Sequence, residues 1–129
     1  MSQAPVGRLT PEEEYQRIFE AASDGLVIYD VELDLIVEAN PAACEMHGYT
    51  REEFIGLNAG AFMSPDSQVR FREHARMAES GRVFESPVVH IRKDGSSFYV
   101  EVHRSAINYA GRPCLLSAIR DVSERIQQE

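Results

Sequence analysis

Lys93-Asp94-Gly95-Ser96 stands between two long runs of strand-forming residues, 83–91 and 98–107, and no other stretch limits the fold as strongly. Asp-Gly accepts the positive φ that a tight antiparallel connection demands. After this turn Phe98, Val100 and Val102 alternate with Tyr99, Glu101 and His103. One face of the strand is therefore core and the other is wet or paired. Turn residues at 108–112 and an apolar run at 114–119 add a third strand. A meander of this kind has an apolar face that the rest of the chain must cover.

The upstream residues supply short elements with clear punctuation. Thr10-Pro11-Glu12-Glu13 has the pattern of a capping box with proline in the first turn, and Tyr15, Ile18, Phe19 and Ala22 then share one helical face. Leu26–Tyr29 is apolar on both sides of a strand, and a short turn at 32–34 pairs it with Leu35–Ala39. Asn40-Pro41 opens a helix over 42–47 that Gly48 closes, and Thr50-Arg51-Glu52-Glu53 opens another that stops at Gly56. Ser64-Pro65-Asp66 begins a longer helix ending near Gly81, with Phe71, His74, Ala75 and Ala78 opposite Arg72, Arg76 and Glu79. Strands separated by a block of helices predict an α+β fold with an antiparallel sheet, not a βαβ repeat.

Composition narrows the functional classes. A chain of 129 residues suits one domain, and a net charge of −8 opposes non-specific nucleic-acid binding. Arg70, Arg72 and Arg76 read as a solvated helix face, so no direct nucleic-acid contact is expected. No apolar run is long enough for a bilayer, and the first residues do not form a signal peptide. Cys44 and Cys114 make no disulfide framework, which places the chain in the cytoplasm. Cys44 and His47 lie three apart on one helix, but two ligands are not a metal site. The chain has neither a Gly-x-Ser-x-Gly motif nor a phosphate-binding glycine loop, so no enzyme activity is expected. His90 with Glu101 or Asp94 is the one acid–base pair to imagine, and no spacing demands it.

Five stretches in order bring a family into view: Ser23-Asp24-Gly25, Ile36 to Ala43, Gly48 to Gly56, Arg92 to Ser96, and Ile119-Arg120-Asp121-Val122-Ser123. Across about residues 14–126 the chain resembles a bacterial PAS (Per-Arnt-Sim) sensory domain. The resemblance implies a five-stranded antiparallel sheet with short helices over one face and an N-terminal amphipathic helix. It divides the chain into a flexible lead-in at 1–9, the PAS domain at 10–122 and, at 123–129, the start of a linker helix to an effector not in this chain. It implies sensing of a ligand, redox state, light or partner, relayed to a kinase, cyclase or transcriptional regulator, as in two-component systems. Asp121 resembles the residue that fixes the last strand to the outgoing helix.

The register implied by the resemblance places Val27 and Tyr29 of the first strand inward, with Val100, Val102 and Arg104 from the fourth and Leu115, Ser117 and Ile119 from the fifth. Ile55 and His90 complete the expected lining, and His74 is the candidate histidine on the long helix. The mixture of apolar walls and a few polar handles suits a small organic ligand, with Arg104 fitting an anion. The cofactor is left unassigned. Flavin is disfavoured because Ala59 falls where the light-sensing branch needs a thiol, and haem because its axial histidine falls nearer Arg70 or Phe71 than His74. A homodimer is expected. The alternatives are a ligand-free dimerisation module using Tyr15, Ile18, Phe19 and Ala22, or a haem-binding gas or redox sensor.

Overall fold

A computed structural model describes residues 9–78 and 82–124, with backbone alone for 74–78. Residues 1–8 of the lead-in expected at 1–9, the helix end near Gly81 and residues 125–129 of the linker expected at 123–129 lie outside the described residues. The elements run α1 (Pro11–Ala21), β1 (Gly25–Asp30), β2 (Leu35–Ala39), α2 (Pro41–His47) and α3 (Arg51–Phe54). A 3₁₀ turn (Ala59–Ala61) follows, then α4 (Pro65–Ala78), β3 (Arg82–Ile91), β4 (Ser97–Tyr109) and β5 (Arg112–Asp121). The five strands form one antiparallel sheet, as the resemblance implies, and their order in it is β2-β1-β5-β4-β3.

The caps read from the sequence hold these elements in place. The Thr10 hydroxyl accepts from the Glu13 amide (3.2 Å), and at Thr50 both halves of the capping box form with Glu53. Asn40 does more than cap α2. Its Oδ1 accepts from the amides of Ala43 (3.0 Å) and Leu26 (2.8 Å), while Nδ2 donates to the carbonyls of Phe19 (2.9 Å) and Asp24 (3.0 Å). One buried amide thus ties α1, β1 and α2 together. Gly25 permits the contact, because a Cβ there would meet Ala43 Cα at 3.0 Å.

The inner face of the sheet carries Val27, Val88, Val100, Val102, Leu115 and Ile119, under a cover that includes Ala43, Phe54, Phe62 and Phe71. Phe19 of α1 packs with Ile28 and Cys114 on the opposite face. The hairpin turn at 93–96 forms with Gly95 at φ 90°, and its base docks on the helices: Lys93 N donates to His47 O (2.9 Å) and Lys93 Nζ pairs with Glu53.

One irregularity reorders a face. From Ile91 to Val88, β3 pairs with β4 in the register set by the hairpin, but Ser86 and Pro87 together oppose one residue of β4. This bulge shifts the register by one, so Glu85 lies opposite Val102 and turns inward, while Phe84 turns outward and is 56% exposed.

Candidate functional site

Between the inner face and the helices lies a cavity walled by Val27, Tyr29, Ile36, Ala59, Phe62, Met63, Phe71, His90, Val102, Arg104, Ser117 and Ile119. Its volume, about 10 Å³ open to the centre of a water molecule, is room for roughly one water. The walls are mostly apolar, and the polar groups in them are carried by strands: Tyr29 by β1, His90 by the edge strand β3, Arg104 by β4 and Ser117 by β5.

Two histidines form the first polar feature. His47, on α2, is 0% exposed, and its Nδ1 lies 2.7 Å from the Ala43 carbonyl oxygen. Its Nε2 lies 2.8 Å from Nδ1 of His90, which β3 carries and which is 1% exposed. Phe54, Phe62 and Phe98 stand edge-on to the His47 ring at 5.2–5.5 Å. Burial among these rings pushes the pKa of His47 down to about 4. His90 is also driven well below its ordinary value, by burial first and then by His47 and Arg104. Both rings are therefore neutral at pH 7. His90 Nε2 is buried without a hydrogen-bond partner.

Arg104 forms the second feature. Its side chain is 1% exposed, donates to Glu85 Oε1 at 2.9 Å and lies over the Phe71 ring at 5.2 Å. Glu85 also faces Arg70 Nε at 3.5 Å. Arg104 Nε is buried without a hydrogen-bond partner. Burial draws the guanidinium below its ordinary pKa and the Glu85 carboxylate opposes that shift, so Arg104 keeps its charge.

Tyr29 closes one end. Its hydroxyl donates to Asp34 Oδ1, and its ring meets Phe71 edge-on at 5.1 Å. Burial and the Asp34 carboxylate raise the phenol pKa, so Tyr29 remains a donor. Outside this pair, Asp34, Asn58, Gly60, Gln68 and Arg72 line a polar cleft of about 210 Å³ that shares Tyr29, Ala59 and Phe71 with the cavity.

The structure brings together Val27, Tyr29, His90, Val102, Arg104, Ser117 and Ile119 from the expected lining. Val100 and Leu115 are buried in the core outside the cavity wall. Ile55 is displaced from the site: it is the half-buried C-cap of α3, and its neighbour Phe54 fills the core instead. The side chain of His74 lies outside the described residues. Arg104 has an internal counter-ion, which removes the argument for an anionic ligand drawn from a lone inward charge. Likewise His90 bonds His47 rather than forming the imagined pair with Glu101 or Asp94, and His47 points into the core rather than joining Cys44. Among the described residues no cluster of three or more His, Cys, Asp or Glu is placed to hold a metal. The cavity as it stands is far smaller than haem or flavin.

The exit from the sheet is ordered by β4. Val122 N donates to Tyr99 O (2.9 Å), Tyr99 N donates to Ser123 Oγ (2.9 Å), and Asp121 Oδ1 accepts from Ser123 N (2.9 Å). Val122 is 4% exposed, so the segment is sealed against the sheet as its chain turns helical at Ser123.

These features define a sensory-domain fold: an antiparallel sheet, short covering helices, an enclosed interior and an anchored exit. The chain belongs to the PAS domain family, whose model matches residues 23–124. It is 28% identical over 120 residues to a methyl sulfide methyltransferase-associated sensor of Methanosarcina acetivorans, covering 92% of this chain and 12% of that protein. It is 23% identical over 133 residues to sensor histidine kinase TmoS of Ectopseudomonas mendocina, covering 100% of this chain and 14% of that protein. The chain thus spans only 12% and 14% of the length of these curated relatives. The PAS domain of a protein from Colwellia psychrerythraea superimposes with a TM-score of 0.79 at 19% identity, over 90% of this chain and 100% of that one. No helix among the described residues is long and apolar enough to cross a membrane.

Proposed function

We propose that this PAS domain is a non-catalytic, ligand-responsive module of a longer cytoplasmic signalling protein. A small molecule enters the cavity, alters the packing of β4 and β5, and moves the segment at Asp121 that leads to an effector. A kinase of the two-component type is the effector class that the sensor relatives support most directly. The observation that carries this reading is the pair of unpartnered polar atoms, His90 Nε2 and Arg104 Nε, on residues that wall the same cavity. Left unpaired, each such buried polar atom costs about 1–3 kcal/mol, so the two call for a polar guest. A ligand repays that cost.

The test is an absorption spectrum of the purified chain, mass spectrometry of what denaturation releases, and amide-resolved NMR with a set of small polar molecules. The expected protein is colourless, with shifts concentrated at Val27, His90 and Ser117. A Soret or flavin band, or an interior unmoved by every molecule tried, overturns the reading.

A second reading rests on α1, where Tyr15 is 51% and Ile18 is 69% exposed although Phe19 is buried. Such a helix suits pairing with a second copy, as a dimerisation function requires. Light scattering of the full chain should give a dimer, and a chain lacking residues 1–22 a monomer; a monomeric full chain at high concentration ends that idea.

A further inference from the structure

The hydrogen-bond chain through the two histidines has only one direction. A carbonyl oxygen only accepts, so His47 Nδ1, 2.7 Å from Ala43 O, carries the proton. In the neutral ring Nε2 is then a lone pair, and the proton between the rings belongs to His90 Nδ1. The His90 ring, neutral in turn, is left with a lone pair at Nε2. One cavity wall therefore offers an acceptor. Arg104 Nε–H, the other unpartnered atom, offers a donor, and the charge of its guanidinium is already matched by Glu85 at 2.9 Å.

Four ligand classes meet this lining differently. A carboxylate accepts from Arg104 but faces the His90 lone pair, and the Arg104 charge that would balance it is already matched by Glu85. An ammonium donates to His90 but faces the Arg104 cation. A hydrocarbon leaves both polar atoms unpaired. A hydroxyl or primary amide donates to one, accepts from the other and adds no charge. One water has the same pattern, and the space available matches it. The carbon end of a larger guest has to displace side chains on the helical side, where Met63 is the most adaptable.

We infer that the cavity is a site for a small uncharged molecule bearing a hydroxyl or primary amide, hydrogen-bonded as donor to His90 Nε2 and as acceptor from Arg104 Nε, and that it discriminates against carboxylates of the same size. The inference rests on the ligand-binding reading above and supplies its chemical class.

The experiment compares near-isosteric probes on the full chain at pH 7. Methyl and amide NMR titrations use acetamide, ethanol, acetate and xenon, and long-range proton–nitrogen spectra assign the histidine tautomers. Acetamide and ethanol should produce saturable shifts at Val27, Val102 and Ile119, with acetate binding roughly tenfold more weakly or worse. Both His47 and His90 should carry their protons on Nδ1. Acetate binding as well as acetamide, or a His90 ring protonated at Nε2, overturns the inference. Xenon shifts without a response to acetamide or ethanol would show a reachable cavity of the wrong chemistry, leaving the ligand-binding reading standing and this one refuted. Silence from all four probes refutes both.

Discussion

Acidification from pH 7 to pH 5 should destabilise this domain through His47 and His90 before any carboxylate matters. Both rings are fully enclosed, and the folded state holds His47 near 4 and His90 lower than its ordinary 6.5. In the unfolded chain each is free to take a proton near 6.5. Below that value the unfolded state binds more protons than the folded one, so stability falls as pH falls. At pH 5 an unfolded histidine is almost fully protonated while the folded His47 ring, held near 4, is mostly neutral, which costs about 2 kcal/mol. His90 adds a loss of the same sign, and the about 2 kcal/mol from His47 alone is already a large share of the roughly 5–15 kcal/mol that domains possess. The carboxylates with lowered pKa lose their contribution only at more acid pH: Asp30 is held down by Arg112, Glu53 by Lys93 and Asp94 by Ser96. The chain has no tryptophan, so urea unfolding followed by far-UV circular dichroism at pH 7, 6 and 5 is the assay. A loss under about 1 kcal/mol at pH 5, or an NMR midpoint near 6.5 for either ring, would mean that water reaches the rings and that their protons are not where Ala43 O puts them.

Three substitutions probe the frame around the site. Asn40→Ala removes four hydrogen bonds from a fully buried side chain and should cost about 3 kcal/mol or more by chemical denaturation; a loss below about 1 kcal/mol would mean that α1 and α2 are not joined through it. Glu85→Gln strands the Arg104 charge and should cost about 3–5 kcal/mol, whereas Glu85→Gln with Arg104→Met should recover much of it; equal losses in the two would show that the charge was not the cause. Asp121→Ala should change global stability by less than about 1 kcal/mol but speed hydrogen exchange at Ser123 N, and unchanged exchange there would remove Asp121 from the exit junction.

Much of this fold is legible in the sequence because its punctuation is local. Asp94-Gly95 needs only its own backbone preference to make the hairpin, and Thr50 with Glu53 needs only four residues to start a helix. The alternation of Phe98, Val100 and Val102 survives unchanged into the buried face of β4. The site is less legible because its polar partners meet across long distances in the chain. His47 reaches His90 over 43 positions, and nothing near either announces the other. Glu85 illustrates the problem most clearly. Extended without interruption, the hairpin register turns Phe84 inward and Glu85 to solvent, and only the extra residue at Ser86-Pro87 reverses the two. Proline in a strand is a known sign of a bulge or an edge, so that signal was present in the residues. Ile55 failed for a simpler reason: a four-residue helix offers too little periodicity to choose between adjacent apolar residues, and Phe54 took the core.

Signalling by this domain requires communication between the interior and the exit at Asp121. Hydrogen exchange at the amides of Tyr99, Val122 and Ser123, measured with and without saturating acetamide, tests it directly. Filling the cavity should change the exchange of these three amides several-fold along with those of the cavity wall. Altered protection at the wall with no change at the three exit amides would show a pocket that binds but does not signal.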